Sequence, residues 1–188
     1  MKDFVKDKEE YAALKDKTFY QGDVVETIIM CADGSTISLK LDTTLPHPYS
    51  REFSVCGTKG RFLEDGYMVY EDRMELERGH EMSPYFNSAK DYEEKYLPDC
   101  WKTITPEEVD AGHGGMDVIM FRAFFDAIKN GEEMPIDVYD AASWMVISCL
   151  SEYSIKAGGH PVEIPDFTSG AWVMREPKDV MRLEENNQ

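Results

Sequence analysis

The fold class this sequence predicts is α+β: an open, mostly antiparallel mixed β-sheet with helices packed on one face. Three observations predict it. The first half carries several short β-rich runs joined by tight turns, and the second half carries two long helical runs. The chain also has 188 residues, 42% hydrophobic and 12% aromatic, enough for one domain with a sizeable core.

The elements follow in order. Lys8 to Lys15 reads as a short helix, with Tyr11 and Leu14 at helical spacing. Val24 to Ala32 and Ser35 to Thr43 are β-rich, and Asp33-Gly34 between them is a hairpin signal. Ile37, Leu39 and Leu41 alternate with Ser38, Lys40 and Asp42, which gives one apolar and one polar face. Pro46 and Pro48 make Leu45 to Ser50 a loop. Arg51 to Cys56, Arg61 to Glu64 and Tyr67 to Glu71 read as strands, separated by Gly57-Thr58-Lys59-Gly60 and Asp65-Gly66. The stretch Asp72 to Asp110 is charged and irregular, with a short helix expected at Ala89 to Tyr96 behind a Ser88 N-cap.

Two long helices come next. Met116 to Asn130 puts Ile119, Met120, Ala123, Phe124, Ala127 and Ile128 along one stripe and stops at Asn130-Gly131. The second begins at Asp137 and runs to Ala157, ending at Gly158-Gly159. Its Val138, Ala141, Ala142, Met145, Cys149 and Ile155 are expected to face the sheet. Pro161 to Ile164 is expected to be a last short strand. The boundaries read as a linker over residues 1–19, one domain over 20–173 and a polar tail over 174–188.

Composition excludes several classes. Net charge is −17, opposite to the basic footprint that nucleic acid or an anionic membrane surface demands. No apolar run approaches the roughly 20 residues that span a bilayer. The charged start Met1-Lys2-Asp3 is not a signal peptide, so a cytoplasmic location is expected. Cys31, Cys56, Cys100 and Cys149 are far apart and are expected to be buried free thiols. No zinc-type or His–carboxylate spacing suggests a metal site, and no Walker or G-x-G-x-x-G motif is present.

Gly112-His113-Gly114-Gly115-Met116-Asp117 is the leading candidate site. Glycines admit a ligand to the backbone, and an imidazole can give or take a proton near neutral pH. The alternative is a structural histidine satisfied by backbone at a helix start. Asp117 either caps that helix or touches substrate. The second cluster is His47-Pro48-Tyr49-Ser50-Arg51. Two prolines stiffen it and could present Tyr49 to a sugar face, or Tyr49 could sit in the core. Arg51 either binds substrate or pairs with an acid.

Five segments then occur in a familiar order: Gln21-Gly22-Asp23-Val24-Val25, Gly57-Thr58-Lys59-Gly60, Gly112-His113-Gly114-Gly115-Met116-Asp117, Pro135-Ile136-Asp137-Val138-Tyr139-Asp140-Ala141-Ala142, and Pro161-Val162-Glu163-Ile164-Pro165-Asp166-Phe167. Together they resemble the C-terminal domain of the glucose–fructose oxidoreductase/inositol dehydrogenase family. The nearest branch is similar to glycoside hydrolase family 109, NAD-dependent α-N-acetylgalactosaminidases. The resemblance implies an N-terminal Rossmann domain that binds NAD and is absent from this chain. It also implies a C-terminal sheet that helps form the sugar site and the oligomer. In that branch the sugar is oxidised at C3, eliminated, hydrated and reduced again, with the acid/base groups mostly outside this domain.

The resemblance matches Tyr49 to the tyrosine of an Arg-Pro-Tyr substrate loop, with His47 in place of the arginine. The chain is therefore expected to be a substrate-binding and oligomerising domain, without catalytic residues or a cofactor of its own. Its expected partners are a sugar, a second copy across the open sheet face, and the Rossmann domain. The expected substrate contacts are Tyr49, His47, Arg51, His113, Gly114 and Asp117. A sugar or polyol dehydrogenase domain and a stand-alone sugar-binding or dimerisation module remain the alternatives.

Overall fold

The computed structural model describes residues 6–18, 22–71 and 82–176. Residues 1–5, 19–21, 72–81 and 177–188, which include Gln21 of the first family segment, part of the irregular insertion and most of the polar tail, lie outside the described residues. The described residues divide into two units: those up to Pro46 together with Ile136 onward, and His47–Pro135.

The first unit begins with a 3₁₀ helix, Glu9–Leu14, broken at Tyr11, where the expected short helix lies. Strands β1 (Val24–Met30) and β2 (Thr36–Asp42) form an antiparallel hairpin, with Val24 opposite Asp42 and Met30 opposite Thr36. Its turn is closed by Gly34 N–H to the Cys31 carbonyl at 3.0 Å and Cys31 N–H to the Ser35 carbonyl at 2.9 Å. Asp33 accepts from the Ser35 hydroxyl at 2.7 Å and from its N–H at 2.9 Å. These bonds hold the Asp33 carboxyl below its usual range.

Pairing puts Val25, Thr27 and Ile29 on the same face as Leu41, Leu39 and Ile37. Val24, Ile28 and Met30 point to the opposite face, where Ile28 and Met30 are largely exposed.

Helix α5 (Val138–Lys156) meets the hairpin through Ser151 Oγ and Thr27 Oγ1, 2.9 Å apart. (The four helices that precede it in the chain, Lys90–Tyr96, Asp99–Lys102, Pro106–Asp110 and Met116–Asn130, belong to the second unit.) Its start is a reciprocal cap. Asp137 accepts from the N–H groups of Tyr139 and Asp140, and Asp140 accepts from the N–H of Asp137. Arg175 closes the same end with two bonds to Asp140, 2.7 and 2.8 Å long, and an ion pair to Asp137 at 3.4 Å. The Arg175 guanidinium is the largest cause holding the Asp140 carboxyl below its usual range.

Three expectations are corrected in this unit. Val138, Ala141, Met145, Cys149 and Ile155 of α5 are exposed. The covered side carries Ala142, as expected, together with Ser143, Val146, Ile147, Leu150, Ser151 and Ser154. This helix is apolar nearly all round, so periodicity alone does not choose its inner face. The hydroxyl pair with Thr27 lies on the covered side. Pro161–Ile164 forms no strand; Pro161 has no N–H to donate, and Ser154 Oγ ties the adjacent His160 carbonyl to the helix end at 2.7 Å. Finally, Cys31 is half-buried and Cys149 exposed. A 3₁₀ helix, Ala171–Met174, completes the unit.

The second unit holds β3 (Ser54–Cys56), β4 (Gly60–Leu63) and β5 (Met68–Glu71) in one antiparallel sheet. The α+β class is thus borne out. Its strands form two small antiparallel sheets among the described residues. Strand β3 starts three residues later than expected. Glu52 adopts φ 48°, which takes Arg51 and Glu52 out of the ladder, while the Phe53 carbonyl still accepts the Glu64 N–H at 2.8 Å. Phe53, Phe62 and Tyr67 pack ring to ring, with centroids 6.2 and 6.1 Å apart. Cys56 is exposed, leaving Cys100 as the buried thiol among the described residues.

The long insertion contains a 3₁₀ turn, Ser83–Tyr85, and short helices α1 (Lys90–Tyr96), α2 (Asp99–Lys102) and α3 (Pro106–Asp110). Ser88 does not cap α1. Its hydroxyl accepts from the Val69 N–H and donates to the Val69 carbonyl, which fastens the insertion to β5. Tyr67 adds a bond to Glu93 at 2.9 Å, which raises the phenol's pKa.

Thr105 and Glu108 form the capping box of α3. The Thr105 N–H, then Arg122, hold Glu108 below the usual carboxylate range. Helix α4 (Met116–Asn130) turns Ile119, Ala123 and Ala127 inward with Met68, Ala89 and Cys100 as the buried core. Met120, Phe124 and Ile128, expected on that stripe, are exposed. The buried line repeats strictly every four residues and is narrower than the apolar pattern.

Candidate functional site

The segment before α4 is built on unusual backbone. Gly112, His113, Gly114 and Gly115 have φ of 156°, 42°, 65° and 92°. Three of the four are glycine, the residue that enters this region without a Cβ penalty. His113 is the exception and bears the strain. Each glycine has its own reason. A Cβ on Gly115 would strike the Ile104 side chain, and one on Gly112 would lie 2.7 Å from Asp117 Oδ2. A Cβ on Gly114 would meet nothing within 4 Å, so open space lies beside it.

This backbone turns the His113 ring onto Asp117. Nδ1 and Oδ2 are 2.8 Å apart. Gly115 occupies the N-cap position of α4, and no side chain caps it. Asp117 therefore does not serve as the cap. Its carboxylate goes to the imidazole while sitting in the first turn, where the helix dipole favours negative charge. The His113 side chain is 76% exposed and Asp117 42%. A wholly backbone-satisfied histidine is thus excluded by its exposure and its partner.

The loop His47-Pro48-Tyr49-Ser50-Arg51 is also resolved. Tyr49 is 91% exposed, which rules out the core reading. Ser50 Oγ donates to Asp65 at 2.7 Å and accepts the Glu52 N–H at 2.8 Å, holding the loop beneath the tyrosine. His47 Nδ1 lies 2.9 Å from the Pro48 carbonyl. A carbonyl only accepts, so Nδ1 carries the proton. Arg51 pairs with Glu64 at 3.4 Å, the acid-pairing alternative. Asp65 and Glu64 were missed as supports, since nothing in their spacing marks them.

The structure thus joins His113 to Asp117 and Arg51 to Glu64. No hydrogen bond or ion pair joins the 47–51 loop to the 112–117 segment among the described residues. No group of three or more metal-type side chains is found among them either. A dinucleotide does not fit these residues. Every strand pairing is antiparallel, so no parallel βαβ unit is present among the described residues, and an acidic side chain sits in the first turn of α4. No described helix is long and apolar enough to cross a membrane.

Small antiparallel sheets and two long helices define the α+β class. The particular family follows from comparison. The family described as Glycosyl hydrolase 109, C-terminal domain, matches residues 1–174, and the chain belongs to it. It is 43% identical to an alpha-N-acetylgalactosaminidase of Tannerella forsythia over 159 residues, covering 85% of this chain and 33% of that protein. It is 41% identical to a glycosyl hydrolase family 109 protein of Parabacteroides distasonis over 85% of this chain and 33% of the relative. A family 109 protein of Stenotrophomonas maltophilia is 40% identical over 85% of this chain and 34% of its own length. The chain thus spans about a third of the length of these relatives.

Proposed function

We propose that this chain forms the substrate-side and oligomer-forming part of an NAD-dependent, α-N-acetylgalactosaminidase-like enzyme. One observation carries the reading: the family match runs through both candidate loops, and these leave the Tyr49 and His113 rings exposed. An exposed aromatic ring stacks on a sugar face, and polar side chains beside it bind hydroxyls. Tyr49, His47, Arg51, His113, Gly114 and Asp117 are the proposed sugar-side residues. On this reading NAD and the redox chemistry are supplied by residues outside this chain, which spans about a third of its relatives' length. The first unit supplies the proposed dimer contact through the hairpin face that carries Val24, Ile28 and Met30.

A second reading, the same domain from a sugar or polyol dehydrogenase, is favoured by His47 standing where the family's loop has arginine. The natural full-length protein separates the two. Release of p-nitrophenol from its α-N-acetylgalactosaminide with no added NAD and no NADH absorbance supports the glycosidase. NADH accumulation on free sugar supports the dehydrogenase. The 188-residue chain by itself is expected neither to bind NAD nor to turn over the glycoside; micromolar NAD affinity by calorimetry would contradict this reading.

A further inference from the structure

We infer that Asp117 is a positioning residue rather than a sugar contact. It fixes His113 as the Nδ1–H tautomer, so that Nε2 accepts a hydrogen bond from a hydroxyl of the bound sugar. The inference rests on the sugar-side reading above and narrows it to one atom.

The argument starts from donor chemistry. An ionised carboxylate only accepts, so the 2.8 Å contact between His113 Nδ1 and Asp117 Oδ2 requires the proton on Nδ1. In the neutral ring Nε2 then holds a lone pair and no hydrogen. Such a nitrogen selects hydroxyl donors and cannot itself donate to a carbonyl. Three features serve this arrangement. Gly112 lacks the Cβ that would sit 2.7 Å from Asp117 Oδ2, so the carboxylate can occupy that place. Asp117 takes no capping role that would compete for it. Gly114 leaves open space beside a ring that is 76% exposed. A polyhydroxylated ligand can therefore reach Nε2 without displacing Asp117.

The test uses the ¹⁵N-labelled 188-residue chain and N-acetylgalactosamine as probe. Long-range imidazole spectra of the neutral ring should show His113 Nδ1 protonated and Nε2 bare. Asp117→Ala should return the ring toward the Nε2–H tautomer and weaken sugar binding about fivefold, the equivalent of one hydrogen bond. Asp117→Asn can turn its amide NH2 to Nδ1 as readily as its oxygen, so it should let both tautomers appear; it decides the matter if the alanine variant fails to fold.

Millimolar sugar should shift Nε2 more than Nδ1. An Nε2–H ring in the native chain, or a tautomer indifferent to Asp117→Ala, overturns the inference. Sugar that moves the Tyr49 ring signals and leaves His113 unmoved also overturns it, while the sugar-side reading stands. Sugar that moves neither ring overturns both.

Discussion

At the residue scale, the Gly-His-Gly-Gly segment shows that neighbouring glycines answer to different constraints. Gly115 is required twice: its φ is 92°, and a side chain there would enter the space of Ile104. Gly114 is required by conformation alone. Gly115→Ala is therefore expected to cost about 2–4 kcal/mol, from left-handed strain plus overpacking. Gly114→Ala should cost about 1–2 kcal/mol, from the left-handed backbone alone. Urea unfolding of the two variants checks the order, and equal losses would contradict the steric account. The sequence revealed this segment by its unusual composition. It did not reveal which glycine faces Ile104 or that Asp117 turns to His113, because both depend on a four-residue run of positive φ.

At the element scale, helices were the most legible feature. Helix α4 has the predicted ends, Met116 and Asn130, and α5 begins behind Asp137 as its capping pattern requires. Strand limits were less legible. Arg51–Phe53 has strand-like composition, yet one residue, Glu52, takes a conformation that ends the ladder. Ser88 resembles an N-cap, yet β5 offers its hydroxyl both a donor and an acceptor.

The start of α5 gives a pH prediction. The folded pKa of Asp140 lies below its unfolded value of about 3.9. Its contribution is therefore complete above that value and is lost as pH falls through the folded value. Asp140→Asn should flatten the acid-side decline of stability in that window, measured by thermal unfolding between pH 5 and pH 2 (about one unit either side of the transition). An unchanged slope would mean Arg175 adds nothing. Asp137→Ala should cost about 1 kcal/mol through the lost cap, read from the urea midpoint.

At the scale of the whole molecule, charge and apolar surface oppose each other. A net charge of −17 repels a second copy, while Ile28 and Met30 at 72% and 81% exposure attract one. Salt screens the first and spares the second. The proposed dimer should consequently tighten between low and physiological salt, and Ile28→Glu should weaken it at both, by sedimentation. A dimer that loosens with salt would point to ion pairing in place of the hairpin face.

Arg175 carries a further consequence for the chain's length. Both the predicted boundary at residue 173 and the family match ending at 174 stop short of it. Its guanidinium nevertheless clasps the first turn of a helix that begins 37 residues earlier, at Val138. A chain shortened at either boundary would keep every residue that identifies the family. It would lose the clasp, and the start of α5 would rest on the Asp137–Asp140 cap alone.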